Sequence, residues 1–335
     1  MAHGTHARRR LTVIGTAVAL GLAAATGTAQ ASGPRLSASP SPIDIGSFGG
    51  STFVNSLDND GEAVGYSFFG GGAYHYHAFE WKEGTLHDLG SLAGPDGNST
   101  ANAINDADEI VGFTDTPAGT QVPYVYRHGQ MTQLGDQGDP LAINDAGVIV
   151  GFIGGSGGTT PVLWRHGTMT PLPVPADCLN GRATAITENG TIIGDCLSPG
   201  FARTLEWKGD YRTVRDLGTG FSGTGVNNRG LIAGTDNTTG QAAIRHLSGT
   251  IQDLGFVPGF TASSTARAIT DNGNVAGTSR SLGDSVAFRW CHGTMTTLAT
   301  PAGTSNATAE TINAHGQVAG EVRDATYISH AVIWP

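Results

Sequence analysis

The chain has 335 residues, with 18 Lys and Arg against 28 Asp and Glu, for a formal charge of −10. That balance excludes nucleic acid and anionic membrane surfaces as partners, because both require a basic footprint. With 51 glycines and only 14% charged residues, the composition is that of a chain with many turns.

The first predicted element is a leader over residues 1–31. Arg8, Arg9 and Arg10 give a positive start, Leu11 to Gly27 is apolar and small, and Ala29-Gln30-Ala31 supplies a cleavage pattern. A transmembrane anchor is the alternative, but the run is rich in Ala, Gly and Thr and ends in that pattern. Arg8-Arg9-Arg10-Leu11 also loosely fits a twin-arginine signal, so Sec and twin-arginine export both stay open. Cleavage before Ser32 leaves 15 basic against 28 acidic side chains, a net −13. No later segment is long and apolar enough to enter a bilayer, so the product is expected outside the cell. Residues 32–42 are expected to be a disordered linker.

Ile43-Asp44-Ile45-Gly46 is a short strand that lacks a preceding partner. After it, one motif recurs seven times: a small-x-x-[IV]-[NT] run, a turn with Gly, then [IV]-[VA]-G. Its closing glycines are 65, 112, 151, 194, 234, 277 and 320. A second motif lies between the copies: x-A-F-x-W, a short turn with Gly, then M-T-x-L-G. Clear copies are His77 to Trp81 with Leu86 to Gly90, and Val286 to Trp290 with Met295 to Leu298. Degenerate copies fall at Tyr124 to Tyr126, Val162 to Trp164, Thr204 to Trp207 and Ala242 to His246. The chain ends in His330-Ala331-Val332-Ile333-Trp334, a W strand with nothing after it but Pro335.

Each motif is two short β-runs about a tight turn. Ala101-x-Ala103-x-Asn105 has the two-residue period of a pleated strand, and Asn144-Asp145-Ala146-Gly147 has turn chemistry. Two hairpins per repeat make four strands, the size of one propeller blade. The prediction is an all-β, seven-bladed β-propeller over 43–335, four strands per blade. Pairing of strand 43–46 with strand 330–334 would close the ring and protect two strand edges. Small residues place the A-x-A-I-N run at the axis, with the opposite radial order as the alternative.

The pattern His77-Ala78-Phe79-x-Trp81, Gly84-Thr85, Asp88-Leu89-Gly90, Ala103-Ile104-Asn105, Ile110-Val111-Gly112 resembles the extracellular HAF repeat, named for its His-Ala-Phe signature. Only the copy at His77 keeps the full signature, and His330-Ala331-Val332 comes near it. The resemblance implies a secreted propeller-type repeat protein and supplies no catalytic residues.

Three cysteines are an odd number for an exported protein. Cys178 and Cys196 flank one hairpin and are expected to form a disulfide. Cys291 is left over, free or linked to another chain. Turns within hairpins fall on one face and read as structural, including those at His128, His166 and His292. Connections between hairpins vary, and binding on a rigid scaffold usually resides in such loops. They carry Phe68, Phe69, Tyr74, His75 and Tyr76, then Phe201, Phe221, Phe260 and Tyr327, the candidate binding residues. Rings among Gly, Ser and Thr suit a sugar or a protein surface; the alternative is that some plug gaps between blades.

His75 and His77 share a face but lack a third ligand, so no metal is assigned to them. Asp58-Asn59-Asp60-Gly61-Glu62 faintly resembles a calcium loop but reads as a hairpin turn. No catalytic motif and no cofactor site is seen. The function expected is binding of a glycan or of a secreted or cell-surface protein, by a monomeric ring or a subunit of a larger assembly. An extracellular hydrolase or lyase with a polar site at the axial mouth is the alternative.

Overall fold

The computed structural model describes residues 41–70 and 75–335. The leader over 1–31, all but the last two residues of the linker and Tyr74 lie outside the described residues. Among the described residues every regular element is a strand. β1 is Ile43–Asp44. The chain then runs through β2 (Gly49–Leu57), β3 (Ala63–Phe69), β4 (Tyr76–Lys82) and β5 (Thr85–Gly90). Next come β6 (Ser99–Ile104), β7 (Ile110–Asp115), β8 (Gln121–Arg127) and β9 (Gln130–Gln133). They are followed by β10 (Asp139–Ile143), β11 (Ile149–Gly155), β12 (Gly158–Arg165) and β13 (Thr168–Pro171). β14 (Asn180–Ile186), β15 (Ile192–Ser198), β16 (Phe201–Trp207) and β17 (Arg215–Asp216) continue the pattern. So do β18 (Phe221–Val226), β19 (Ile232–Asp236), β20 (Gln241–Arg245) and β21 (Ile251–Gly255). The last are β22 (Ser263–Ile269), β23 (Val275–Arg280), β24 (Ser285–Cys291), β25 (Thr294–Thr297), β26 (Thr304–Ile312), β27 (Val318–Asp324) and β28 (Ser329–Trp334).

Four of the quartets from β2 to β25 are separate four-stranded antiparallel sheets, while β10–β13 and β14–β17 are joined by one parallel bridge, Thr159 to Asn180. The remaining sheet has the order β1-β28-β27-β26. No sheet closes on itself. β1 pairs with β28 through Ile43↔Ile333 and Asp44↔Val332. It is shorter than the expected 43–46. The Asp44 carboxylate accepts the Gly46 N–H at 2.9 Å, and Gly46 turns to φ 89°, which ends the strand.

Turn chemistry fixes the hairpins. Between third and fourth strands, His128-Gly129, His166-Gly167 and His292-Gly293 have positive φ at both residues. That is the two-residue turn whose twist matches its flanking strands, so these histidines do hairpin work. Between first and second strands, the N–H of Asn144 bonds Val148 O and that of Gly147 bonds Asn144 O, a pattern repeated around the molecule.

The seven closing glycines have a different cause. Every first strand carries a β-bulge: at Asn55, Asn102, Leu141, Thr184, Thr224, Arg267 and Glu310 the register slips by one residue. Beside each bulge the second strand presents its glycine, as in Ala101↔Gly112 and Pro140↔Gly151. A Cβ on Gly112 would lie 1.9 Å from Thr100 O, and one on Gly151 2.0 Å from Asp139 O. Bulges re-aim side chains. Here they interrupt the two-residue period read across Ala101 to Asn105.

The core lies between successive sheets. Val64 and Ala78 pack against Ala101, Ile110 and Tyr124 of the next sheet. Val54 and Phe79 pack against Ala319, Ala331 and Ile333. Each such Val, Ile or Phe side chain stabilises by roughly 1.5–3 kcal/mol when fully buried. Buried indoles find acceptors in the preceding link: Trp207 Nε1 donates to Pro173 O and Trp334 Nε1 to Ala299 O, at 2.7 and 2.6 Å. First strands lie against one another in order, β2, β6, β10, β14, β18, β22, β26, and β26 lies against β2. Cys178, ahead of β14, is joined to Cys196 on β15 by a disulfide. Cys291 carries a free, half-buried thiol.

Candidate functional site

Among the described residues all ring-to-ring contacts fall in the β2–β5 sheet and its approach. Strand alternation sorts them onto two faces. Phe53, Tyr66, Phe68 and Tyr76 share one, with centroids 5.0 Å apart for Phe53–Tyr66, 5.1 Å for Phe68–Tyr76 and 5.4 Å for Tyr66–Tyr76. All four rings are half-buried, so each keeps an accessible surface. Burial pushes both tyrosine hydroxyls up, helped by Glu321 for Tyr66 and Asp115 for Tyr76. Phe68, Phe69 and Tyr76 are strand ends, not residues of the connection between hairpins as expected. Side by side on β-prone positions, they extend the ladder to Phe68↔Tyr76.

On the opposite face Phe69 packs on His75 at 4.6 Å and on His77 at 4.9 Å. His77 is buried, and its Nδ1 meets both Asp88 oxygens at 2.9 and 3.0 Å. Asp88 in turn accepts the Gly90 N–H. The same bracket recurs as Arg203–Asp216 with Gly218 and as His330–Asp44 with Gly46. The signature His and the Asp of D-L-G are thus a cross-strand pair that holds the third strand to the fourth.

The other sequence candidates do not join this platform. Phe221, 1% exposed, is a core residue packed against Ile193, Ile232 and Ala243. It opens β18, so its ring points into the sheet stack rather than out of a loop. Phe201 lies under the Arg203 guanidinium at 4.4 Å, and Phe260 packs against the Ala242–Phe288 core. Tyr327, 79% exposed, stands alone on the β27–β28 turn.

Beside the platform lies a carboxylate pair that sequence reasoning missed. Glu321 accepts the Val54 N–H at 3.0 Å and the Thr308 hydroxyl at 2.8 Å. Burial pushes its carboxyl up to about 7, with Glu310 adding to the shift. Glu310 faces Arg267 Nε at 3.5 Å. Asp139 is likewise pushed up to about 6 by burial and accepts a 2.8 Å bond from Asn102. One carboxylate of this kind can hold a proton near neutrality while its neighbour stays charged.

A pH dependence follows. Folded Glu321 keeps its proton to about 7, whereas an unfolded one loses it near 4.5. Stability therefore falls as pH rises through that window. After discounting for solvent reaching the side chain, the loss is about 2 kcal/mol. Melting curves between pH 4.5 and 7.5 should show a shallower decline for Glu321→Gln than for the wild type; parallel curves would remove Glu321 as the cause.

At the turn end a cavity of about 350 Å³ is lined by the first-hairpin turns, with Asp106, Asp145, Glu188 and Asp271 facing it. A belt of hydrogen bonds links these turns. Asp106 N–H donates to Asp145, Asp145 N–H to Glu188 and Asn228 N–H to Asp271. Asn313 Nδ2 donates to Asp58 O, and Ala314 N–H to Asn59.

No protein-family model matches the sequence, and no curated protein does. Solved structures do. The β-propeller domain of the Trilobed protease from Pyrococcus furiosus superposes at a TM-score of 0.54, with 11% identity over 85% of this chain and 93% of that one. A streptogramin B lyase superposes at 0.53, with 12% identity over 87% and 96%. The fold is a β-propeller. The acylaminoacyl peptidase of Pyrococcus horikoshii matches at 0.56 and 11% identity over 85% of this chain. This chain spans 51% of that peptidase and 63% of TolB from Acinetobacter baumannii, the latter at a TM-score of 0.46 and 12% identity. Identities this low speak to the propeller fold alone.

Proposed function

We propose that this is an exported, closed, seven-bladed propeller that binds a glycan through the Phe53–Tyr66–Phe68–Tyr76 platform. Export is inferred from the leader pattern at 1–31, and a disulfide at Cys178–Cys196 is in keeping with an oxidising compartment. Closure is supported by seven sequence repeats, by β26 lying against β2, and by the β1–β28 pairing that would make one blade from both ends of 43–335.

The observation carrying the binding assignment is the platform itself. Four contiguous, half-buried rings flanked by the polar side chains Asn98, Asp115 and Glu321 offer flat apolar area with hydrogen-bonding edges. Sugar rings present the same combination, apolar faces with polar rims. A glycan array with the secreted protein should give specific signals. Phe68→Ala and Tyr76→Ala should each weaken the strongest by about tenfold, the scale of one aromatic contact. A folded protein silent on the array but capturing one partner from secreted fractions would instead make the platform a protein-binding surface.

The Glu310–Glu321 pair supports a second reading, a hydrolase or lyase whose proton donor is Glu321. Incubation of array-positive glycans with wild-type protein and Glu321→Gln separates the two. Binding retained by both with no product from either leaves the binding function alone.

A further inference from the structure

We propose that the junction of the first two hairpin turns, residues 58–62 and 105–109, binds a calcium ion through the Asp58 carboxylate. The observation is a broken rule. In four repeats the turn begins with Asn, and its side chain does two jobs. Oδ1 accepts the N–H four residues on: Glu109 at 2.9 Å from Asn105, Val148 at 3.0 Å from Asn144, Leu231 at 3.0 Å from Asn227 and Gln317 at 3.0 Å from Asn313. Nδ2 donates to a backbone carbonyl of the next repeat: Asn144 O, Thr187 O, Thr270 O and Asp58 O, at 2.8–3.1 Å.

Asp58 stands at the same place in the first repeat. Its Oδ1 does the first job, accepting Glu62 N–H at 2.8 Å. It cannot do the second, because a carboxylate has no proton to donate. Its Oδ2 occupies the place of the amide nitrogen and, by the rule of the other repeats, is directed at the Asn105 carbonyl. Asp58 is 5% exposed, and Oδ2 has no hydrogen-bond partner among the described residues. A buried carboxylate oxygen left without a partner needs a hydrogen-bond donor or a cation beside it.

The surroundings fit a hard cation. Donor atoms of Asp58, Glu62 and Asp108 lie within 4.8 Å of one another. The cation already present, Lys82, meets Glu62 at 2.7 Å and Asp108 at 3.1 Å but makes no bond to Asp58. Carboxylate and carbonyl oxygens without sulfur or imidazole are a calcium set, and water completes the six to eight ligands such an ion takes.

The full chain, freed of metal with EGTA and titrated with calcium chloride, tests this by calorimetry and thermal melting. One ion per chain is expected, with a melting-temperature rise of about 5 °C at hundredfold saturation. Asp58→Asn restores the amide donor that other repeats use. It should melt in EGTA at or above the wild type and lose the calcium response. No heat and no shift with millimolar calcium in the wild type would overturn the site, as would an undiminished response in Asp58→Asn. A wild type that ignores calcium but gains on Asp58→Asn as pH falls from 7 to 5 would show that a proton fills the gap, and would overturn it too.

Discussion

Gly151→Ala should leave little soluble, folded protein, while Gly154→Ala, three residues along the same strand, should be nearly silent. A methyl group on Gly151 meets the Asp139 carbonyl at 2.0 Å, and that oxygen belongs to the bulged first strand of its sheet, β10. Backbone cannot swing aside as a side chain would. Either the bulge opens or β10 and β11 separate, and both outcomes expose the sheet interface. A cost above roughly 4 kcal/mol is expected, in the tail reached only by specific disruptions. At Gly154 nothing lies within 4 Å and φ is not positive, so alanine should stay within about 0.5 kcal/mol of the wild type. Urea unfolding of both variants, side by side, measures the difference. A Gly151→Ala protein with wild-type stability would mean that the β10 bulge is dispensable.

Removing the Cys178–Cys196 bridge is the next largest effect expected. The bridge spans 18 residues, and freeing a loop of that length in the unfolded chain costs about 3 kcal/mol. Melting should fall by roughly 5–10 °C in a domain of this size. Cys196 is fully buried, so Cys→Ala substitutions also trim packing. Melting the wild type in dithiothreitol removes the cross-link without touching the side-chain volume. If dithiothreitol and the double alanine variant melt together, the cross-link accounts for the effect; a reduced wild type that melts like the oxidised one would refute it.

Much of the fold was legible because it repeats. A glycine recurring about every 43 positions and hairpins on either side of it fix strand count and order without any side-chain detail. The bulges were not legible. A two-against-one pairing leaves the sequence of Ala101 to Asn105 looking like an ordinary strand, and only the glycine opposite betrays it. The aromatic stretch at 68–76 pointed to the platform, yet two of its four rings, Phe53 and Tyr66, lie outside that stretch on β2 and β3. Glu310 and Glu321 went unseen because strand pairing, not spacing, brings them together. Phe221 misled for the opposite reason: a strand start following a Gly-Thr-Gly run reads as a loop until the ring is seen in the core.

The sheet that contains β1 has a weakness that the others lack. Its edge strand β1 is held by two residue pairs, as β17 is, but the partners of β1 are some 290 positions away along the chain. Contacts between such distant positions form late and repay little of the chain entropy they cost. Amide protons of β28 that face β1 should thus exchange with solvent ahead of those in β12 or β24, whose edge neighbours β13 and β25 follow a turn later. If the molecule breathes, it does so at this seam, immediately beside the aromatic platform.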